Sequence, residues 1–66
     1  MRLSVNGENR EVAEGSTVND LLEALLLDPE AHVVWRNGEM VERDSYDGMQ
    51  LAENDLLDVV RLAGGG

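Results

Sequence analysis

Residues 2–27, RLSVNGENREVAEGSTVNDLLEALLL, hold the reading that decides the fold. Leu3 and Val5 alternate with Arg2, Ser4 and Asn6, which is the period of a strand with one buried face. Asn6-Gly7 follows, the dipeptide best suited to the positive φ angles of a two-residue hairpin turn. Arg10-Glu11-Val12-Ala13 reads as the returning strand, and Glu14-Gly15-Ser16 breaks it. Thr17 predicts a helix N-cap, with Asp20 placed where the macrodipole favours negative charge. Val18, Leu21, Leu22, Leu25 and Leu26 recur at helical spacing, with Asn19, Asp20 and Glu23 opposite. This spacing predicts a helix of about ten residues, ended by Asp28-Pro29 because the residue before proline is pushed out of the α region.

Further along, Val33-Val34-Trp35 is strand-like and Asn37-Gly38 gives a second hairpin signal. Glu39 to Arg43 reads as a short, charged return strand suited to a sheet edge. Asp44 to Gly48 predicts a turn or a single helical turn, and Glu53-Asn54-Asp55 a polar turn. Leu56 to Leu62 is the most apolar strand, followed by Ala63-Gly64-Gly65-Gly66. The order β-β-α-β-β-β predicts an α+β domain over residues 1–62, one mixed sheet with the main helix packed on one face. With the first and last strands central and parallel, this is the ubiquitin-like β-grasp. A small ferredoxin-like sandwich needs a second helix, which the stretch between Gly38 and Leu56 does not offer. Residues 63–66 are expected to form a flexible glycine tail.

Sixty-six residues make one domain, with little surplus for a deep internal active site. Fourteen acidic residues stand against five basic ones, all Arg, for a net charge of −9. Such a chain repels phosphate backbones and anionic lipid, so neither nucleic acid nor membrane is an expected partner, and a basic protein surface is. The absence of Cys excludes disulfides, iron–sulfur clusters and a thiol nucleophile. His32 stands alone and Glu8, Glu11 and Glu14 match no metal loop, so no metal site and no bound cofactor are expected. His32 reads as structural or solvated and Trp35 as a packing residue. The alternating start at Met1 to Val5 is not a signal-peptide pattern, which makes the cytoplasm the expected compartment.

The reactive group is sought at the tail. Three consecutive glycines at a chosen chain end arise by chance in roughly 0.03% of sequences, given glycine's usual frequency. Glycine lacks a Cβ and lets another backbone approach closely, so the tail suits a narrow channel. Ala63 to Gly66 fully extended reach about 13–14 Å. The α-carboxylate at the end is ionised at neutral pH and can attack the α-phosphate of ATP once an enzyme aligns the two. On the last strand Leu56, Asp58, Val60 and Leu62 share one face, and Leu57, Val59 and Arg61 the other. If Leu57 and Val59 face the helix, Val60 and Leu62 form a hydrophobic docking anchor near the tail, ringed by Asp58 and neighbouring carboxylates.

Asn6-Gly7, Gly15-Ser16-Thr17-Val18 with Leu21-Leu22, Asn37-Gly38, Val41, Arg43, Tyr46, Leu51, Asp55, the apolar final strand and Gly65-Gly66 recur here in one order and spacing. In these the chain resembles the ThiS family, β-grasp sulfur carriers of thiamine biosynthesis. It departs from many members at Asn54 (often Gly), Glu42 (often Pro) and Tyr46 (often Trp). The resemblance implies a carrier rather than an enzyme. A ThiF-like enzyme would adenylate the Gly66 carboxyl with ATP and magnesium, and cysteine desulfurase-derived sulfur would convert it to a thiocarboxylate. A ThiG-like thiazole synthase would accept that sulfur. Gly65 and Gly64 would thread the tail through the partner, with Ala63 as spacer. The sequence leaves other functions open: a carrier for molybdopterin synthesis or tRNA thiolation, a protein modifier joined through Gly66, and a plain interaction module.

Overall fold

The computed structural model describes residues 1–62. Five strands form one sheet: β1 (Arg2–Val5), β2 (Glu8–Glu11), β3 (His32–Arg36), β4 (Glu39–Val41) and β5 (Leu56–Arg61), in the spatial order β2-β1-β5-β3-β4. Strands β1 and β5 run parallel, with Ser4 opposite Leu56, and all other pairings are antiparallel. One helix, α1 (Val18–Ala24), covers a single face. This is the β-grasp expected above, with β5 at its centre.

Both Asn-Gly turns form as the sequence dictates. Asn6 and Gly7 take φ values of +52° and +84°, and Asn37 and Gly38 of +52° and +86°, the positive pair that matches the twist of the flanking strands. A two-residue turn fixes register at once, so β2 begins at Glu8 and ends at Glu11. The expected return strand over Arg10 to Ala13 is therefore displaced toward the turn. Its residues are all exposed and carry no apolar alternation to read. The β4 return is likewise shorter than expected, because Arg43 opens a 3₁₀ turn over Arg43–Ser45.

The helix has only seven residues, too few to stand without capping and packing. Thr17 Oγ1 accepts the Asp20 N–H at 3.1 Å and the Asp20 carboxylate accepts the Thr17 N–H at 3.0 Å, a reciprocal capping box. The remaining free donors of the first turn go to loop carbonyls: Val18 N–H to Met49 O and Asn19 N–H to Tyr46 O. Its buried face, Val18, Leu21 and Leu22, packs against Leu3, Val5, Val34, Val41, Leu57 and Val59 from the sheet, closed by Tyr46 and Leu51. Burying side chains of this size contributes about 1.5–3 kcal/mol each.

The helix stops earlier than Asp28-Pro29. Leu26 N–H bonds to Glu23 O and Leu27 N–H to Leu22 O, the paired hydrogen bonds of a Schellman stop. Leu26 sits at the left-handed position of that motif, φ +60°, and is 92% exposed, so it does not belong to the apolar face. A left-handed conformation costs a non-glycine residue roughly 1–2 kcal/mol.

Candidate functional site

The C-terminal half of β5 is anchored on both sides, up to the last described residue. On the β1 side the strand runs past the hairpin turn, where backbone pairing ends, and the Asn6 side chain replaces it. Its Oδ1 accepts the Val59 N–H at 2.8 Å and its Nδ2 donates to Val59 O at 3.2 Å. On the β3 side His32 lies opposite Arg61, and the Leu62 N–H donates to Ala31 O at 2.8 Å. Ala31 closes the 3₁₀ turn Pro29–Ala31, which is held in turn by its neighbours. The His32 ring donates from Nδ1 to Asp28 O at 2.8 Å, Tyr46 Oη to His32 O at 3.1 Å, and Arg43 Nε to Pro29 O at 3.2 Å. His32 is thus a buried, hydrogen-bonded structural residue. The chain beyond Leu62 starts from a fixed point.

Leu57 and Val59 are buried against the helix, so the condition set on the final strand is met. Val60 (51% exposed) and Leu62 (47%) are exposed near that point, and Val60 shares the open sheet face with Asp58, also exposed. Register adds residues that the strand pattern alone did not name. Val33 lies opposite Val60, Trp35 opposite Asp58, and Met40 opposite Trp35, placing Val33, Trp35 and Met40 on the open face with Leu56. Trp35 is half-buried on this outer face and is not among the residues of the helix-side core. Its pairing with Met40 follows from the two-residue turn at Asn37-Gly38, a signal present in the sequence. Gly64, Gly65 and Gly66 lie outside the described residues.

At the other end of β5, Asp55 is buried. Its Oδ2 accepts from Arg36 Nε at 2.8 Å and from the Ala52 N–H at 2.7 Å, and its Oδ1 from Asn37 Nδ2 at 3.1 Å. Asn37 completes the clamp, with its N–H on Leu56 O at 2.7 Å and its Oδ1 on the Leu56 N–H at 2.9 Å. Burial pushes the Asp55 carboxyl up, but the Ala52 N–H, the Asn37 amide and the Arg36 guanidinium outweigh it and hold it below the ordinary value of 3.8.

Depressions of about 330, 300 and 380 Å³ mark the surface, the first lined by Arg36, Asn37, Glu39, Met40, Val41 and Met49. Arg36 is already held by Asp55, so this lining presents no free acid–base pair. Among the described residues no group of three or more His, Cys, Asp or Glu could hold a metal ion, and no helix is long and apolar enough to cross a membrane.

The fold has relatives among known proteins. A crystal structure of the thiamine biosynthesis protein ThiS from Geobacter metallireducens superposes with a TM-score of 0.85 at 36% identity, covering all of both chains. The sulfur carrier protein ThiS of Bacillus subtilis is 29% identical over 65 residues, 97% of this chain and 98% of that one. A thiazole synthase from Magnetococcus marinus is 38% identical over 66 residues, and there the chain spans 20% of the longer protein. The model of the ThiS family matches residues 3–66, from β1 through the closing glycines, and the chain belongs to that family.

Proposed function

We propose that the chain is a sulfur carrier of thiamine biosynthesis that is itself a co-substrate and not a catalyst. The observation that carries this reading is the family match over residues 3–66, which reaches Gly66. A ThiF-like enzyme binds ATP and magnesium, and the Gly66 carboxylate oxygen attacks the α-phosphate. The new P–O bond forms as pyrophosphate leaves. A desulfurase takes sulfur from cysteine as a persulfide, whose terminal sulfur attacks the acyl carbon, forming C–S as the C–O bond to AMP breaks; a thiol reductant then cleaves the S–S bond by two electrons. The resulting thiocarboxylate passes its sulfur to a ThiG-like thiazole synthase. That a segment like this chain makes up a fifth of one thiazole synthase supports such a pairing. The compartment is the cytoplasm, where ATP and cysteine are at hand.

In this reading the body presents and the tail reacts. Gly64 and Gly65 thread the partner's channel, where a Cβ would obstruct close backbone approach. Val60 and Leu62, with Val33, Trp35 and Met40 beside Val60, form the apolar docking anchor, and Asp58 steers basic residues at its rim.

Removing Gly65 and Gly66, or adding one residue after Gly66, is expected to leave the melting temperature unchanged and abolish ATP–pyrophosphate exchange by the adenylating enzyme. Exchange retained by either variant would contradict the reading.

A further inference from the structure

The antiparallel pairing of β3 with β5 fixes which way each peptide group of β5 points. Across the pair Arg36–Leu57 the Asn37 N–H reaches Leu56 O, and across His32–Arg61 the Leu62 N–H reaches Ala31 O. In both pairs the two residues therefore exchange no hydrogen bonds of their own, and alternation makes Val34–Val59 a third such pair. The N–H and C=O of Leu57, Val59 and Arg61 all face the β1 side instead. Leu57 O accepts the Asn6 N–H, and the Asn6 amide takes both groups of Val59. Arg61 comes next, about 6.6–6.8 Å further along and past the last residue of β1. Among the described residues nothing bonds its N–H or C=O from that side.

This stretch differs from the outer edges of the sheet. Strand β2 is the exposed, charged run Glu8-Asn9-Arg10-Glu11, and β4 is three residues long and begins at Glu39, features that discourage strand addition. Arg61 instead stands on the central strand, one residue before the last described position. The Gly66 carboxyl follows five residues later, at most about 18 Å away along an extended chain, so an enzyme holding that carboxyl comes within this distance of Arg61. Ala63-Gly64-Gly65-Gly66 offers a single methyl group for recognition, which leaves the grip on the tail to peptide N–H and C=O groups. Strand addition supplies such bonds, and the open pair on β5 is at Arg61.

We propose that the adenylating enzyme adds an extended segment of its own backbone to the β1 side of β5, pairing with the N–H and C=O of Arg61 where the tail enters it. The inference rests on the sulfur-carrier reading. It gives the enzyme a main-chain contact at the root of the tail, separate from the side chains of the open sheet face. The Asn6 amide sets where the added segment begins, because it already occupies Val59. These bonds hold the carrier without touching the reacting carboxylate, so their loss is read in KM and not in kcat.

The test uses the full-length chain with its adenylating enzyme. Hydrogen–deuterium exchange is read at single amides in the free chain and in the complex. The Arg61 N–H is expected to exchange freely alone and at least about tenfold more slowly in the complex, while the Leu62 N–H, bonded to Ala31 O, is protected in both. Arg61→Pro, which removes the open N–H, is expected to raise the KM of the carrier in ATP–pyrophosphate exchange about tenfold at unchanged kcat. It breaks no hydrogen bond within the described fold, so the melting temperature should fall by no more than a few degrees. Arg61→Ala, which loses the guanidinium and keeps the peptide group, is expected to keep KM within about twofold. An Arg61 amide as fast in the complex as alone overturns the proposal while the carrier reading stands, and so does an Arg61→Ala variant as impaired as Arg61→Pro. Protection that grows with the concentration of the free chain overturns it in favour of strand pairing between two copies. A wild-type chain that supports no pyrophosphate exchange overturns the carrier reading, and this proposal with it.

Discussion

Replacing Asp55 by Ala is expected to lower the unfolding free energy by about 3 kcal/mol and the melting temperature by roughly 10–25 °C. The substitution leaves the Arg36 guanidinium, whose side chain is only 25% exposed, without its counter-charge. It also strips the Ala52 N–H and one Asn37 amide hydrogen of their acceptors. Breaking one partner of a buried pair costs more than the pair contributes, because the survivor stays desolvated. The remaining exposure of Arg36 places the loss at the lower end of the roughly 3–5 kcal/mol that breaking a buried pair costs. Asp55→Asn, which keeps an acceptor but not the charge, should fall between the two, and urea unfolding of the three proteins measures the series. A loss below about 1 kcal/mol in Asp55→Ala would show that the clamp is dispensable.

The same carboxyl sets an acid dependence. Its folded value lies below 3.8, so the unfolded chain takes up the proton first. The stability it contributes is complete above the unfolded value and is lost as pH falls through the folded one. Wild-type stability should therefore decline below about pH 5, and Asp55→Asn should lack that part of the decline.

The second large effect is expected at the open face. Val60→Asp should raise the KM for the carrier in adenylation by at least about 30-fold, the size of a central anchor's contribution to an interface. Val60 is half exposed, opposite Val33 on a strand whose buried residues are Leu57 and Val59. Its replacement therefore creates no core cavity, and the melting temperature should fall by no more than a few degrees. The new carboxylate would stand two residues from Asp58 on the same face and would have to be desolvated against an apolar partner. Val60→Thr, which keeps the β-branched shape, should lose much less. Unchanged exchange kinetics in Val60→Asp would remove the open face from the docking account.

What the sequence could and could not disclose follows from which interactions are local. The two Asn-Gly turns, the Thr17 cap and the apolar β5 are local signals, and together they forced the β-grasp. Strand β2 was read two residues late because an exposed edge strand of Glu8-Asn9-Arg10-Glu11 has no apolar period, and Val12 and Ala13 drew the reading toward themselves. The helix end was missed because its stop residue is Leu26, where glycine would have announced it. The roles of Asn6, Asn37 and Asp55 were invisible for another reason. Each side chain reaches β5 or its entry from a turn, and a contact across more than fifty residues, as between Asn6 and Val59, leaves no mark on spacing. On the site side, the alternation along β5 correctly separated Val60 from Leu57 and Val59. Trp35 and Met40 joined that face only once register was known.

The proposed function puts the reactivity on the Gly66 carboxyl, and the intact mass of the protein reports on that group directly. The chain is incubated with its adenylating enzyme, ATP, magnesium, a cysteine desulfurase, cysteine and a thiol reductant, and then weighed whole. The expected result is an ATP-dependent gain equal to the difference between one sulfur and one oxygen atom, absent when Gly66 is deleted. An unchanged mass alongside an enzyme that forms pyrophosphate with another ThiS protein, or the chain appearing instead as an adduct on a second protein's lysine, would contradict the account.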